Sequence, residues 1–131
     1  MLDTNLCIRV LRDRPQNIRA RFNAEADGLS ISTIVLTELL HGAAKSARPI
    51  ENRSEVERFA SRLEVLAFDP DAAAHAGDIR AMLEREGLQI GGYDVLIAGH
   101  ARSRGLIVVT GNLDEFKRVD GLRCEDWQPT N

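Results

Sequence analysis

The apolar run Leu106-Ile107-Val108-Val109-Thr110 constrains the fold of this 131-residue chain more than any other segment. It is continuous rather than alternating, it is rich in β-branched residues, and it follows a stretch from Tyr93 to Arg104 with helical character. Strands of this kind are buried on both faces, as happens in parallel sheets that helices cover. The run therefore predicts an α/β protein with a parallel sheet between layers of helices.

Short apolar segments alternate with helical ones along the rest of the chain. The predicted strands are Met1–Asp3, Leu29–Ser32, Val65–Phe68, Leu106–Thr110 and a last one near Leu122–Glu125. The first predicted helices are a stretch through Leu11, a helix that Pro15 opens and Gly28 ends, and a helix from Ile34 to about Lys45 that Thr33 caps. A polar loop is predicted over 46–52. The later predicted helices are Glu55–Leu63, one from Asp69-Pro70 to Glu86-Gly87, Tyr93–Arg104 and Leu113–Phe116.

We expect these elements to form one domain over residues 1–131. Its predicted architecture is an α/β three-layer sandwich, with a central, mainly parallel sheet of about five strands flanked by helices. Only Met1 and Leu2 precede Asp3, which is short for a buried strand. Either the first strand is unusually short or the natural chain begins a few residues upstream.

The composition is that of an ordinary globular protein and bears on location and partners. No apolar run approaches the roughly 20 residues of a membrane-spanning helix, and the N-terminus lacks a signal-peptide pattern. Cys7 and Cys124 lie far apart without a metal-binding companion, which predicts reduced thiols in the cytoplasm. The net charge of -3 argues against nucleic acid, yet all 17 basic residues except Lys45 and Lys117 are arginines, which bind phosphate better than lysines.

Three acidic residues occupy positions where a metal site can form. Asp3 ends the first strand, Glu38 interrupts an apolar helical run, and Asp94 begins a helix. Taken singly, Asp3 and Asp94 can be helix N-caps, and Glu38 can be a solvent-facing residue. Ligands of a parallel sheet bind beyond the carboxyl ends of its strands, so one topology can bring all three acids together. Carboxylate oxygens suit Mg²⁺, with Mn²⁺ as a substitute.

Several segments carry a family resemblance. They are Leu2-Asp3-Thr4-Asn5, Ser32–Leu39, Tyr93–Ala98, the tail from Ala98 to Arg102, Leu106–Thr110, Gly111-Asn112 and Glu115-Phe116. In this order they resemble the acidic motifs of PIN-domain ribonucleases, and the later segments are similar to the VapC toxins of type II toxin–antitoxin pairs. The ordered set covers essentially the whole chain. It implies a PIN-domain fold and a metal-dependent, site-specific endoribonuclease.

The resemblance also implies roles for individual residues. Asp3, Glu38 and Asp94 would be the catalytic residues and would bind one or two divalent ions. A fourth acid usually stands two residues after a Thr like Thr110, and this chain has Asn112 there. The candidates for the fourth ligand or a supporting role are Asn112, Asp114, Glu115, Thr4, Asn5 and Thr110.

Partners follow from the same resemblance. It implies a VapB-type antitoxin, a toxin homodimer within a larger toxin–antitoxin assembly, contact with operator DNA only through the antitoxin, and no membrane. The implied substrate is a structured RNA, most readily a tRNA anticodon loop, with initiator tRNA as the first choice and inhibited translation as the result. Arg9, Arg12 and Arg14 are the candidates for RNA contact, unless they form a solvated helix face or contact protein instead.

Three other functions compete with this one. A haloacid-dehalogenase-like phosphatase needs a second Asp two residues after the first, where this chain has Asn5. A response-regulator receiver needs a Lys at the end of a late strand, but Thr110 is followed by Gly111-Asn112. A PIN-like module that only binds RNA or protein would be expected to lack one of the three acids. All three are present, so the ribonuclease is the favoured function and the binding module is its alternative.

Overall fold

The computed structural model describes residues 1–14 and 17–127. The helices described there are α1 (Thr4–Arg12), α2 (Ile18–Glu25), α3 (Thr33–Ala44), α4 (Pro49–Ala60), α5 (Pro70–Glu86), α6 (Gly92–Ser103) and α7 (Leu113–Phe116), with a 3-10 turn at Ala26–Gly28. The strands are β1 (Ser30–Ser32), β2 (Glu64–Leu66), β3 (Val108–Val109) and β4 (Cys124–Glu125). Helices and short strands thus alternate as the sequence predicts.

The strands form two parallel pairs that the first residues of the chain connect. In one pair β1 lies beside β2, with Ser30 opposite Glu64, and in the other β3 lies beside β4. Leu2 lies between the pairs, because its backbone nitrogen donates to the Ser30 oxygen at 2.9 Å and it bridges Val109 in parallel. The predicted parallel pairing is confirmed. A continuous sheet of about five strands is not, since the described strands form two two-stranded sheets and Leu2 joins them only through an isolated bridge.

Helix caps explain why the strands are shorter than predicted. Ser32 ends β1 and also caps α3, because its Oγ accepts from the Ile34 nitrogen at 3.0 Å. The prediction that Thr33 caps this helix is therefore wrong. The Thr33 hydroxyl accepts from the Phe68 nitrogen at 3.1 Å instead. Since a cap turns the chain out of extended conformation, the strand cannot continue past it.

Helix α4 is the largest departure from the sequence prediction. It begins at Pro49, where a loop over 46–52 and a helix over Glu55–Leu63 were expected. Pro at a helix start has no N–H to leave unsatisfied. The first turns face solvent and Ile50 in them is exposed, so no apolar periodicity indicates a helix there. Val56 and Phe59 are the buried residues of α4. The predicted start of α2 at Pro15 lies outside the described residues.

The boundaries of α5 agree with the prediction. Asp69 caps its start, because its Oδ1 accepts from the Ala72 nitrogen at 2.9 Å. Gly87 ends it with φ 68, a left-handed conformation that favours glycine. Within the described residues, Cys7 and Cys124 are both free thiols, as predicted. The described helices include none with the length and apolar character needed to cross a membrane.

Helices α5 and α6 pack closely where two small residues meet. A Cβ placed on Gly99 of α6 would lie 2.5 Å from the backbone nitrogen of Ala76 on α5. Both residues are buried. Glycine at this position therefore lets α6 approach α5, and this approach places the first turn of α6, which carries Asp94.

Substitution of Gly99 tests this packing. We expect Gly99→Ala to lower the free energy of unfolding by about 1–3 kcal/mol, because the added methyl group meets backbone that cannot move aside. Gly77→Ala on α5 is the matched control, since nothing lies within 4 Å of a Cβ there, and it should be neutral or stabilise the protein by up to about 1 kcal/mol. Urea denaturation measures both, and equal stabilities of the two variants would contradict the close approach.

Candidate metal centre

Asp3 lies where the first extended segment meets α1. Its Oδ1 accepts from the Leu6 nitrogen at 2.9 Å, so it caps the helix. Its Oδ2 accepts from the Thr110 hydroxyl at 2.5 Å, next to the end of β3. The residue is only 3% exposed. Burial raises the pKa of Asp3, and the hydrogen bonds from Thr110 and Leu6 and the charge of Arg9 offset part of that effect. The capping role expected as an alternative is thus present, in a carboxylate that also faces β3.

Glu38 approaches the same region from α3. It is half-buried, and its Oε1 accepts from the Thr4 hydroxyl at 2.5 Å. Thr4 is the first residue of α1, directly after Asp3. The two successive residues Asp3 and Thr4 therefore bring a carboxylate of α1 and a carboxylate of α3 to one end of the strands. The alternative of a solvent-facing Glu38 is wrong.

Asp94 stands in the first turn of α6, beside Glu115 of α7. The N-cap of α6 is Gly91, so the expected alternative that Asp94 caps this helix is wrong. The pKa of Asp94 is raised to about 7, first by burial, then by a hydrogen bond with Glu115 and the charge of Glu115, and further by the charges of Asp3 and Glu38. Four acids from four helices thus lie close enough to interact.

The remaining candidates divide between this region and the surface. The backbone nitrogen of Asn112 donates to the Thr110 hydroxyl at 2.8 Å, so Thr110 connects Asn112 with Asp3. Asp114 and Asn5 are exposed. Sequence analysis missed Asp126, whose charge raises the pKa of Asp3. It follows β4, so the rule about strand ends could have identified it.

The acids interact without forming a closed ligand shell. In the part of the chain that the structure describes, no three Asp, Glu, His or Cys side chains lie close enough together to hold an ion directly. Their charges nevertheless shift the pKa of Asp94, because charge acts over longer distances than coordination. Mg²⁺ keeps several waters and needs only one or two carboxylates in direct contact. Oxygen ligands of this kind suit such an ion, with one or two of these carboxylates in direct contact and the others acting through water.

Of the candidate RNA-binding arginines, one is near the acids. Arg9 is half-buried, and its charge acts on Asp3. Arg12 and Arg14 are exposed, and among the described contacts neither reaches an acid of this group.

The raised pKa of Asp94 predicts how stability depends on pH. Its pKa is 3.8 in an unfolded chain and about 7 in the folded protein, so folding favours the protonated form. The stabilisation is complete below 3.8 and is lost as the pH rises through about 7. In EDTA, we expect the free energy of unfolding to fall over this range and Mg²⁺ to restore it above pH 7.

Urea denaturation at several pH values, with EDTA and with Mg²⁺, measures this effect. Glu115→Gln should flatten the dependence, because it removes the charge that opposes ionisation of Asp94. Asp114→Asn is the matched control on the same helix, and its exposed side chain should leave the profile unchanged. A profile that Glu115→Gln does not alter contradicts the coupling of Asp94 with Glu115.

Comparison with known proteins gives the family. The PIN domain family matches residues 1–122. The chain is 55% identical over 127 residues to the tRNA(fMet)-specific endonuclease VapC of Salmonella typhimurium, and the match covers 97% of this chain and 96% of that protein. The fold is similar to a chain of the DNA-bound VapBC complex of Salmonella typhimurium, with a TM-score of 0.92 and 55% identity over 98% of this chain and 97% of that chain.

A chain of VapBC2 from Rickettsia felis bound to a DNA fragment of its promoter is also similar, with a TM-score of 0.90 and 37% identity over 98% of both chains. These matches span almost the whole chain and agree with the order of the motifs. The resemblance predicted from sequence is thereby confirmed. The chain belongs to the PIN-domain family and, within it, to the VapC ribonucleases of toxin–antitoxin pairs.

Proposed function

We propose that this VapC ribonuclease binds Mg²⁺, or Mn²⁺ in its place, through Asp3, Glu38 and Asp94 and uses it to hydrolyse RNA. The observation that supports this most is the raised pKa of Asp94, because burial and the charges of Glu115, Asp3 and Glu38 all contribute to it. Crowded, half-buried carboxylates are costly unless a cation balances them. VapC nucleases of the PIN family generally depend on a divalent metal.

Neighbouring side chains have supporting roles in this proposal. Glu115 is the favoured fourth ligand, since it hydrogen-bonds Asp94 while Asp114 is exposed. Thr110 orients Asp3 and Thr4 orients Glu38 through their hydroxyl groups. Partners of this kind fix ligand geometry in metal sites. Asn112 and Asn5 are proposed to contact waters or substrate at the edge of the site.

The chemistry requires a nucleophilic water and stabilisation of charge on the phosphate. A bound divalent cation activates water and offsets the charge that develops on the phosphate oxygens. The chain itself orients the carboxylates, and α1 and α3 hold two of them rigidly through the Thr4 and Thr110 hydrogen bonds. The pKa of Asp94 is raised to about 7, first by burial and then by the neighbouring Glu115, so in the absence of a cation Asp94 can take up or release a proton next to the site near neutral pH.

The proposed substrate is initiator tRNA, cut in its anticodon loop so that translation stops. Support comes from the Salmonella typhimurium relative, whose name gives tRNA(fMet) as its target and which is 55% identical over 127 residues. A single-stranded loop leaves its backbone and bases open to a protein. The alternative remains a PIN-like module that binds RNA or protein without catalysis.

The proposed partners are a VapB-type antitoxin and a second copy of this chain within a larger toxin–antitoxin assembly. The similar solved structures are VapBC complexes with bound DNA, which supports contact with operator DNA through the antitoxin alone. We propose the cytoplasm as the location, because the substrate and the DNA are there. That all 131 residues form one PIN domain stays a prediction.

An RNA-cleavage assay tests the metal site. Purified protein should cleave an initiator tRNA transcript in Mg²⁺ and not in EDTA. Asp3→Asn, Glu38→Gln and Asp94→Asn should each lower the cleavage rate at least about 100-fold, the upper end of what is lost when a group that merely orients a ligand is removed. Asp114→Asn should retain the wild-type rate, because its side chain is exposed.

Mn²⁺ binding measured by electron paramagnetic resonance separates the metal site from catalysis. The three substitutions should weaken Mn²⁺ binding, while circular dichroism shows that the variants remain folded. Cleavage that persists in the folded variants refutes the ligand assignment. Tight binding of tRNA without any cleavage in Mg²⁺ would support the binding module instead.

A further inference from the structure

Arg9 and Gly111 fit together at the edge of the acidic site. A Cβ placed on Gly111 would lie 2.8 Å from the guanidinium carbon of Arg9 and closer still to its Nη1. Gly111 is not among the residues with a positive φ, so its backbone conformation is open to any residue. A side chain at position 111 would therefore meet no backbone obstacle but would displace the guanidinium of Arg9 from its place.

The guanidinium of Arg9 has no protein partner that would explain its position. Its Nη1 is buried, and it finds no acceptor among the described residues. A buried donor without an acceptor is costly, and such groups in native proteins have a specific cause. Other arginines of this chain do have partners, as Arg53 does in Glu57 at 2.9 Å.

The surroundings of Arg9 show what kind of acceptor fits. Its charge acts on Asp3, and Gly111 directly follows Thr110, whose hydroxyl bonds Asp3. Arg9 is half-buried rather than enclosed, so part of the side chain remains open to solvent. An anion bound beside the carboxylate-held cation would therefore lie next to this guanidinium. A planar guanidinium matches two phosphate oxygens at once.

We propose that Arg9 binds the RNA phosphate at the cleavage site, and that glycine at position 111 leaves free the space that the guanidinium occupies there. The inference rests on the proposed RNA cleavage and adds a substrate-binding residue to it. It also separates Arg9 from Arg12 and Arg14, which are exposed. The positive charge of Arg9 opposes a cation at Asp3 and favours a phosphate. Removal of this charge should therefore strengthen cation binding and weaken phosphate binding.

The first experiment compares Arg9→Ala with Arg85→Ala, a control at an exposed arginine of α5 that has no proposed role in the site. Arg9→Ala should bind Mn²⁺ about three- to tenfold more tightly by electron paramagnetic resonance, because a nearby positive charge is gone. The same variant should cleave an initiator tRNA transcript about 100-fold more slowly under single-turnover conditions, because the phosphate loses its charged donor. Arg85→Ala should leave both Mn²⁺ binding and cleavage unchanged.

The variant Arg9→Lys distinguishes loss of the guanidinium from a failure of Arg9→Ala to fold. It keeps the charge but lacks the planar fork, so Mn²⁺ binding should stay near the wild-type value while cleavage falls less than in Arg9→Ala. If Arg9→Ala weakens Mn²⁺ binding and cleavage together, the residue only maintains the fold of the site and the proposal is wrong. Unchanged cleavage also overturns it.

Gly111→Ala tests the second half of the proposal. The added methyl group should displace the guanidinium and lower cleavage as Arg9→Ala does. In the Arg9→Ala background, the same change at position 111 should have no further effect, because the space is then free. Additive losses in the double variant contradict the fit between the two residues.

Failure of the underlying function has a different signature. If the wild-type protein neither binds Mn²⁺ nor cleaves RNA, the proposal of a metal-dependent ribonuclease is refuted, and the proposed role of Arg9 is refuted with it. A wild-type protein that does both, with Arg9→Ala identical to it, overturns the Arg9 proposal alone.

Discussion

The carboxylate of Asp3 holds three parts of the molecule in register. One oxygen caps the start of α1 by accepting from the Leu6 backbone nitrogen, and the other accepts from the Thr110 hydroxyl next to the end of β3. Thr4, the next residue, reaches Glu38 on α3. Since the described strands are only two or three residues long, backbone pairing alone fixes little. These side-chain bonds therefore determine much of where the helices stand relative to the strands.

The arrangement that these bonds hold also crowds several carboxylates together, which is electrostatically costly. Helices α1, α3, α6 and α7 each bring an acid to one end of the strands, and burial together with the charges of its neighbours raises the pKa of Asp94. Protonation relieves this cost at low pH, and the divalent cation proposed above would relieve it at neutral pH. Under that proposal, the stability of the fold and the affinity for the cation both depend on the same group of acids.

Local chemistry explains which parts of the fold were predictable. Asp69 and Gly87 act on neighbouring residues, so the ends of α5 could be inferred from the sequence. The start of α4 could not, because its first turns, including Ile50, face solvent and bury no apolar face. Asp3, Glu38 and Asp94 were found from motifs and strand ends. The choice of Glu115 over Asp114 depends on which way the short helix α7 faces, and the Arg9–Gly111 fit joins distant positions. No local sequence pattern predicts the direction in which α7 faces or the contact between Arg9 and Gly111.

The close approach of α6 to α5 at Gly99 is one of two points that fix this helix. Asp94 lies in its first turn, on one side of Gly99. On the other side, Arg102 donates to His75 at 3.0 Å and to the Asp120 carbonyl oxygen at 2.9 Å. Contacts in the middle and in the last turn of α6 therefore determine where its first turn lies. A substitution at Arg102 or His75, at the other end of the helix, can thus alter the position of Asp94 without touching it.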